Sequence, residues 1–445
     1  MLSTITSAYA QIQSFLEPYM LQGRQVLDVF HIIFSTSFDI ILFFTFLITI
    51  VYLFITCYML FFYKKKVETF IEDESLFPTV TVHIPTYNEL AAINCAKKCL
   101  EFDYPKEKFT IFIGDDSNKP HISKKIAEFA KKHDMVTVYK RKKNVGFKPG
   151  NLNNMLQHTK SDYILIFDSD YLPQKDFLRK LVSPAIKNPE LAGVQAKWKV
   201  VNPQTNFTTA LGTGITNTFH VIMLPFIKTF SPTITFCGSA ELVQRKTLVE
   251  LGGWKSGALT EDIDYSFRCV NAGKHIYYLE DLECDNEVPQ TPNDLFKQQM
   301  RWAYGVIKSF LFHGKTLFLS KKVTVQKKIM AVLFGSGYIM TTLIMLLTIS
   351  GTLAIITHPP QPINFVEFVL TTVTNILLTC GLLVATIVAG FTKKTGIRGS
   401  IKLILASFSI GLVQIFYVTK GVYKALTNQP MQWFMLKKTG NEKRL

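Results

Sequence analysis

The amino-acid sequence predicts an α/β domain built on a mostly parallel sheet, with transmembrane helices on its N- and C-terminal sides. Between residues 67 and 320, short apolar runs typical of strands alternate with stretches of helical periodicity, the pattern of a parallel sheet covered by helices. Outside this domain lie three long uncharged runs, each reaching the roughly 20 residues that cross a bilayer as a helix. The composition agrees, because 48% of the 445 residues are hydrophobic, which is too apolar for an ordinary soluble protein.

The apolar runs divide the chain into predicted segments. The first 35 residues lack the basic start and the cleavage site of a signal peptide, so the first span is expected to remain as an anchor. The shorter run 403–419 could either cross the membrane or lie at its interface. The predicted order is an N-terminal segment (1–39), a transmembrane helix (40–63), the α/β domain with an interfacial helix (67–320), two transmembrane helices (329–357 and 368–392), an interfacial or transmembrane helix (402–425) and a basic tail (426–445).

The positive charge is concentrated beside the predicted spans. The net charge of +16 raises nucleic acid as a partner, but the lysines cluster in the stretches 64–66, 321–328 and 393–398. Basic residues that flank spans mark the cytosolic side of a membrane and can contact anionic lipid headgroups. We therefore expect a multi-pass integral membrane protein with a cytosolic domain, whose partners include membrane lipid and exclude nucleic acid.

The seven cysteines form no pair with the close spacing of a zinc site. Cys95 and Cys99 could share a helix face, but no second ligand pair lies nearby. This usage fits a reducing compartment.

Polar clusters follow three of the predicted strands. Ligands of parallel sheets bind at the carboxyl ends of the strands, and the first, second and fourth strands run into PTYNE, DDS and DSD. The predicted strands are Thr79–Ile84, Phe109–Gly114, Val136–Tyr139, Tyr163–Phe167, Gly193–Val200 and His275–Leu279, with helices at Glu89–Glu101, Ser123–His133 and Lys175–Lys187.

Two pairs of aspartates stand at these strand ends. Asp168 and Asp170 can face a common point, and their hard oxygen ligands suit Mg²⁺ or Mn²⁺ with positions left open for substrate phosphates; the alternative is a solvated turn or a helix cap. Asp115 and Asp116 could accept hydrogen bonds from a nucleobase edge or ribose hydroxyls, or serve only as turn residues. The first pair is predicted to hold a metal on a diphosphate, since it follows a fully apolar strand.

A basic, glycine-containing loop precedes a helical stretch. In the run 141–150, Gly146 and Gly150 let the backbone approach a ligand, and Lys148 between them can offset diphosphate charge. The other lysines of this run are interpreted as solvated surface.

Two further helices carry chemistry-bearing residues. In the first, Thr260 is the predicted N-cap and Glu261 and Asp262 lie in the first turn; acids there stabilise a helix, or Asp262 acts as a general base. The second helix begins at Thr291, its predicted N-cap, with Pro292 at the first helical position. One interpretation of it is an amphipathic helix that lies on the membrane. The other reading is functional, because Gln298, Arg301 and Trp302 share one face, where the Arg can pair with phosphate and the indole can support a sugar ring.

Together these stretches resemble the family 2 glycosyltransferases, in particular the processive membrane synthases of β-linked polysaccharides. The resemblance runs from Thr79 to Gly305, and QAKWKVVN and LTEDIDYSFR resemble the mannan or glucomannan synthase branch, although Val200 stands where that branch usually has a histidine. The matching stretches, in order, are PTYNE, DDS, GFKPGNLN, DSD, QAKWKVVN, FCGSAELVQRKTLVELGGW, TED and QQMRW.

The resemblance implies a GT-A type nucleotide-sugar-binding domain and a set of site residues. A metal, Mn²⁺ or Mg²⁺, would be held by Asp168 and Asp170, and Asp262 would be the catalytic base. The implied catalytic residues are Asp262, Glu261, Gln298, Arg301 and Trp302; the implied nucleotide-sugar contacts are Thr86, Tyr87, Glu89, Asp115, Asp116, Lys148, Gly150, Asp168 and Trp198.

The activity implied by the resemblance is inverting transfer of a hexose from a UDP- or GDP-sugar to a growing β-linked polysaccharide. The alternative is a glycolipid glycosyltransferase that acts on ceramide or diacylglycerol. The low number of spans suggests an accessory subunit or a homo-oligomer as a partner, and the expected location is the plasma membrane, or the Golgi in a eukaryote. The tail WFMLKKTG resembles a gating-loop motif in which Trp433 and Lys438 match and Leu436 replaces a threonine.

Overall fold

The computed structural model of the protein describes residues 2–231, 235–358, 364–432 and 434. Trp433, Leu436 and Lys438 of the gating-loop resemblance lie outside the described residues. The chain divides into two compact units, Met1–Phe54 with Ile339–Leu383, and Ile55–Tyr338 with Val384–Leu445. The second unit contains the sheet.

The helices and strands alternate through the middle of the chain. A π-helical segment, Thr218–Met223, joins α6 to α7. In chain order the elements are α1 (Leu2–Phe61), β1 (Val80–Thr86), α2 (Ala91–Leu100), β2 (Phe109–Asp115), α3 (Pro120–Ala130), β3 (Val136–Lys140), α4 (Phe147–His158), β4 (Tyr163–Ile166), α5 (Phe177–Lys187), β5 (Leu191–Val200), α6 (Phe207–Asn217), α7 (Leu224–Phe230), β6 (Glu241–Gln244), α8 (Arg245–Glu250), α9 (Glu261–Asn271), β7 (His275–Asn286), α10 (Pro292–Leu319), α11 (Val325–Thr357), α12 (Phe365–Thr379), α13 (Gly381–Thr392), α14 (Gly396–Ser407) and α15 (Ile410–Leu426).

One mostly parallel sheet has the strand order β3-β2-β1-β4-β6-β5-β7. The neighbours β1–β2, β1–β4, β2–β3 and β5–β7 are parallel, and β6 runs antiparallel to both β4 and β5. The predicted α/β fold and all six predicted strands are confirmed. Only β6 was not predicted, because its four residues contain two apolar side chains between Glu241 and Gln244, too few to show a period.

The sheet is covered on both faces. In β4, Leu165 packs in one apolar cluster with strand β1 and helices α2 and α5, whereas Ile164 and Ile166 pack in a second cluster with Leu152 of α4. Burial on both faces explains why the strands read as continuous apolar runs. It also leaves the carboxyl ends of β1, β2 and β4 as the place where polar side chains can gather.

Helix boundaries near the sheet follow the predicted capping residues. Thr291 accepts a hydrogen bond from the Asp294 N–H at 3.3 Å, and Pro292 is the first residue of α10. After α9, Gly273 has φ +77°, the left-handed conformation that glycine adopts without strain. Thr260 stands at the N-cap position of α9 but makes no side-chain capping bond.

Among the described residues, three helices are long and apolar enough to cross a membrane, or up to five if each of two bent pairs forms one span. The predicted span 40–63 belongs to α1, which begins at Leu2, so the segment 1–39 is largely helical too. The predicted span 329–357 lies in α11. The remaining one of these helices, Phe207–Phe230, was not predicted as a span, and 89% of its 18-residue apolar stretch is buried.

The two bent pairs correspond to the remaining predicted spans. The segment 368–392 is two helices, α12 and α13, that meet at 65°. At this break Gly381 lies against α1, since an added Cβ would be 2.7 Å from the Thr49 Cα. The segment 402–425 falls within α14 and α15, which meet at 55°.

Candidate active site

Hydrogen bonds connect the loops that follow β1, β2 and β4. Asn88, with φ +56°, accepts hydrogen bonds from the N–H groups of Asn118 and Lys119, both at 3.1 Å. The Ser169 hydroxyl donates to the carboxylate of Glu89, and Thr86 donates to the Glu89 carbonyl at 3.3 Å. Tyr87 is half-buried in the same loop. The PTYNE, DDS and DSD stretches therefore meet at one edge of the sheet, as predicted.

Asp115 is buried at the end of β2 with one oxygen still able to accept a hydrogen bond. Its Oδ1 accepts from the Ser117 N–H at 2.9 Å, and Lys140 Nζ lies 4.0 Å from Oδ2. In the part of the chain that the structure describes, Oδ2 is buried and accepts no hydrogen bond. Buried acceptors rarely lack a hydrogen-bond donor, and a ribose hydroxyl or the edge of a nucleobase would supply one to Oδ2.

Asp116 and Gly150 shape the loop that leads to Lys148. Asp116 forms a two-pronged ion pair with Arg141, with Nε 2.7 Å from Oδ1, and Arg141 also donates to the Val145 carbonyl at 2.7 Å. A Cβ on Gly150 would lie 2.2 Å from that carbonyl oxygen, so only glycine permits this approach. The structure thus gives both residues a role in loop geometry, and direct contact with a nucleotide stays a prediction for them.

Lys148 lies at the centre of the site. Its Nζ is 2.8 Å from Asp168 Oδ1 and 2.9 Å from Glu261 Oε1, and it donates to the Gly238 carbonyl at 2.6 Å. Burial disfavours the ammonium, but Asp168, Glu261 and Glu241 outweigh it and raise the pKa of Lys148 above its usual value. The group therefore stays charged and joins three separate elements.

The two DSD aspartates are the candidate ligands of a divalent ion. The Asp168 N–H donates to Ser239 Oγ at 2.9 Å, and Asp170 is buried. Across the described residues, no group of three or more His, Cys, Asp or Glu side chains is arranged to hold a metal. Two carboxylates without a third ligand suit Mn²⁺ or Mg²⁺, since such ions complete their coordination with water and substrate phosphate.

Asp262 is buried in the first turn of α9, beside the backbone of Gly238. An added Cβ on Gly238 would lie 3.3 Å from Asp262 Oδ2 and 3.6 Å from Lys148 Nζ. Burial and the neighbouring Glu261 raise the pKa of Asp262 from 3.8 to about 7, while Lys148 opposes the shift. A carboxyl group in this state can take up a proton near neutral pH.

Trp198 and Trp302 form an aromatic wall next to the Gly238 loop. Trp198 donates from Nε1 to the Ser239 carbonyl at 3.1 Å, and its ring centroid lies 6.3 Å from that of Trp302. Gln298 is buried in α10, and Arg301 donates to the Leu259 carbonyl at 3.1 Å. Arg301 therefore lies next to the segment that leads into α9, and Trp302 lies beside Trp198 of β5.

Several residues of the site were not identified from the sequence. Gly238, Ser239 and Glu241 belong to the FCGSAE stretch, whose glycine next to a serine was the available signal. Asp264 was also missed: it accepts from Arg268 Nε at 2.9 Å and pairs with His313 Nε2 at 2.8 Å. Burial opposes the ionisation of Asp264, but His313 and Arg268 lower its pKa, so it fastens α9 to α10.

Comparison with known proteins agrees with the sequence resemblance. The chain is 31% identical over 262 residues to the probable glucomannan 4-beta-mannosyltransferase 7 of Oryza sativa subsp. japonica, covering 57% of this chain and 44% of that protein. It is 29% identical over 279 residues to the glucomannan 4-beta-mannosyltransferase 2 of Arabidopsis thaliana, covering 60% and 52%. The chain thus spans about half the length of the curated relatives it matches.

The fold is shared with a solved glycosyltransferase. The mannosyltransferase PcManGT from Pyrobaculum calidifontis, solved in complex with GDP-Man and Mn²⁺, superposes with a TM-score of 0.59 at 17% identity, over 91% of this chain and 100% of that one. This likeness confirms the predicted GT-A type fold. The family described as "Glycosyltransferase like family 2" matches residues 78–305, and the chain therefore belongs to that family.

Proposed function

We propose that the protein is a metal-dependent, inverting membrane mannosyltransferase that transfers mannose from GDP-mannose to a growing β-linked glycan. The observation that carries the proposal is the cluster around Gly238. There a buried carboxyl group with its pKa raised to about 7, Asp262, lies beside the Lys148–Asp168 ion pair. A proposed general base, Asp262, and a proposed diphosphate-binding cation, Lys148, thus both lie against the backbone of Gly238.

The donor is proposed from the relatives and from the buried carboxyl group at the end of β2. The similar plant proteins are named as mannosyltransferases, and the structure with the same fold was solved with GDP-Man and Mn²⁺. The buried, unsatisfied Oδ2 of Asp115 supplies an acceptor for the nucleoside part. With a divalent ion bound, Asp168 and Asp170 would share it with the donor diphosphate, whose developing negative charge it would offset.

Asp262 is the base of the proposed displacement. Its carboxylate accepts the proton of the acceptor hydroxyl, whose oxygen forms the new bond to the anomeric carbon. The bond from that carbon to the diphosphate oxygen breaks, and GDP leaves with the electron pair. Lys148, kept charged by its carboxylate partners, stabilises the leaving diphosphate. Attack from the opposite side converts an α-linked donor into a β-linked product.

The acceptor is proposed to lie along the aromatic wall of Trp198 and Trp302, because indole rings support sugar faces. We propose that the domain faces the cytosol and that the apolar helices hold it in the plasma membrane or the Golgi. Anionic lipid at the basic span ends and an accessory subunit or a second copy are the expected partners.

Product analysis tests the proposal. Purified protein with Mn²⁺ and radiolabelled GDP-mannose should give a polymer that a β-mannanase degrades, and Asp262→Asn should give none. UDP-glucose in place of GDP-mannose should support little incorporation. A product consisting only of singly glycosylated lipid would contradict polymer synthesis and favour the glycolipid alternative, and transfer from UDP-sugars alone would contradict the proposed donor.

A further inference from the structure

Glu241 is a buried carboxylic acid next to the site that has no part in the reaction described above. It is 1% exposed, and as the first residue of β6 it pairs in register with Ile166 of β4. That position lies just before the DSD aspartates. Burying a carboxyl group in a sheet is costly unless its oxygens are held, so its contacts indicate what it does there.

The carboxylate of Glu241 holds the backbone of Gly238. The Gly238 N–H donates to Glu241 Oε2 at 2.9 Å, while the Gly238 carbonyl accepts from Lys148 Nζ at 2.6 Å. The Cα of the same residue faces Asp262, where an added Cβ would be 3.3 Å from Oδ2. One amino acid thus touches three charged groups of the site.

The turn that carries these contacts has an unfavourable backbone conformation. Gly238 has φ +88° and Ala240 has φ +54°, and a non-glycine residue in the left-handed region costs free energy that other contacts must offset. Gln195 and Trp198 hold the turn through the Ser239 carbonyl, at 3.0 and 3.1 Å. Glu241 holds it through the Gly238 N–H, and Lys148 holds it through the Gly238 carbonyl.

We propose that Glu241 is a further positioning residue of the transfer site, whose carboxylate fixes the Gly238 backbone between Asp262 and Lys148. This inference rests on the proposed function. It assigns Glu241 no contact with the substrate, because the residue acts through the turn.

The charges around Asp262 and Glu241 give the inference a measurable consequence. Burial and the charge of Asp262 raise the pKa of Glu241 well above its usual value, with Lys148 opposing. The groups that face this pair are Glu261, Lys148, the Cys237 thiol and the Tyr265 hydroxyl. Because ionised Asp262 stands beside it, Glu241 loses its proton at a higher pH than it would without that neighbour.

Two substitutions separate the hydrogen bond of Glu241 from its charge. Glu241→Gln keeps an oxygen that can accept from the Gly238 N–H, so kcat should stay within about threefold of wild type. Glu241→Leu keeps the volume but not the acceptor, and kcat should fall by more than about tenfold with donor KM little changed. Glu250→Gln, at an exposed position of α8, is the matched control.

A second measurement, the melting temperature as a function of pH, does not depend on activity. Because the pKa of Glu241 is raised in the folded protein, its ionisation destabilises the fold as the pH rises. The melting temperature of Glu241→Gln should therefore fall less than that of wild type when the buffer is changed from acidic to alkaline. At acidic pH, Glu241→Gln should melt close to wild type and Glu241→Leu below it.

The outcomes separate the two proposals. Wild-type protein that transfers from no nucleotide-sugar would contradict the proposed function, and the melting series would then decide the role of Glu241. If the wild type is active, wild-type kcat in Glu241→Leu, or a loss of kcat in Glu241→Gln as large as that in Glu241→Leu, would overturn the role of Glu241. If Glu241→Leu does not fold, kcat of Glu241→Gln within about threefold of wild type supports the role and a larger loss overturns it.

Discussion

The pKa of Asp262 sets the lowest pH at which the protein should transfer sugar efficiently. Burial and Glu261 raise this pKa from 3.8 to about 7, and a difference of about three units corresponds to about 4 kcal/mol between the two protonation states. A general base works only when ionised, so activity should be complete above this pKa and be lost as the pH falls through it. Below pH about 6, kcat/KM should drop about tenfold for each further unit.

Initial rates of mannose transfer over a pH series, fitted as kcat/KM, measure this midpoint. Donor binding to Asp262→Asn over the same series is the control for effects on the nucleotide, and Asp134→Asn, at an exposed position, is the control for a changed surface charge. Asp262→Asn should retain donor binding and lose more than about a hundredfold in kcat. An acidic midpoint near that of a solvated aspartate, about 4, or near-normal kcat in Asp262→Asn, would refute the assignment of Asp262 as the base.

Three further substitutions probe other parts of the site. Gly238→Ala should lower kcat by more than about tenfold with donor binding retained, because a Cβ would strain a residue at φ +88° and crowd Asp262 at 3.3 Å; rates and nucleotide titrations report this. Asp115→Ala should weaken GDP binding by about tenfold or more in calorimetry, since a buried acceptor is lost, and unchanged affinity would exclude it from the nucleoside site. Gly150→Ala should lower the melting temperature, because the added Cβ would lie 2.2 Å from the Val145 carbonyl oxygen and overpacking of this kind costs about 1–3 kcal/mol of stability. An unchanged melting temperature would show that the loop can relax.

The centre of the sheet was predictable from the sequence because its strands are buried on both faces. A strand such as β4, with Ile164, Leu165 and Ile166 all fully buried, must be a continuous apolar run, and β1 is likewise buried along its whole length. The same reasoning placed the DDS and DSD clusters together, since parallel neighbours end at one edge of the sheet. Local periodicity and the rules of sheet topology were sufficient to predict the sheet and the edge at which these clusters meet.

The contacts that decide the roles of individual residues were beyond prediction. Asp116 looks equivalent to Asp115 in sequence, yet Arg141 pairs with it from 25 positions away, and no local pattern encodes that partner. Glu241 is of a residue type that is usually exposed, whereas it is buried in the sheet because β6 is inserted antiparallel between β4 and β5. A long-range insertion of this kind reverses the burial expected from residue type.

The charge balance of the site argues that the donor binds only with a divalent cation. Among the described residues, the one cation Lys148 interacts with four carboxyl groups, those of Asp168, Glu241, Glu261 and Asp262. Burial, and after it the charge of Glu261, raises the pKa of Asp262. A nucleotide-sugar carries a further diphosphate anion, and bringing it to this edge of the sheet without a cation adds like charge at close range.

Removing divalent ions with a chelator should therefore weaken GDP-mannose binding itself, not only turnover. We expect the affinity measured by calorimetry to fall by about a hundredfold or more and to return on addition of Mn²⁺, since several carboxylates near the diphosphate are worth at least about 3 kcal/mol of repulsion at an effective dielectric constant of about 20. Asp170→Asn should raise the Mn²⁺ concentration needed for half-maximal donor binding while leaving the melting temperature nearly unchanged. Equal affinity with and without the metal would show that Lys148 alone balances the diphosphate.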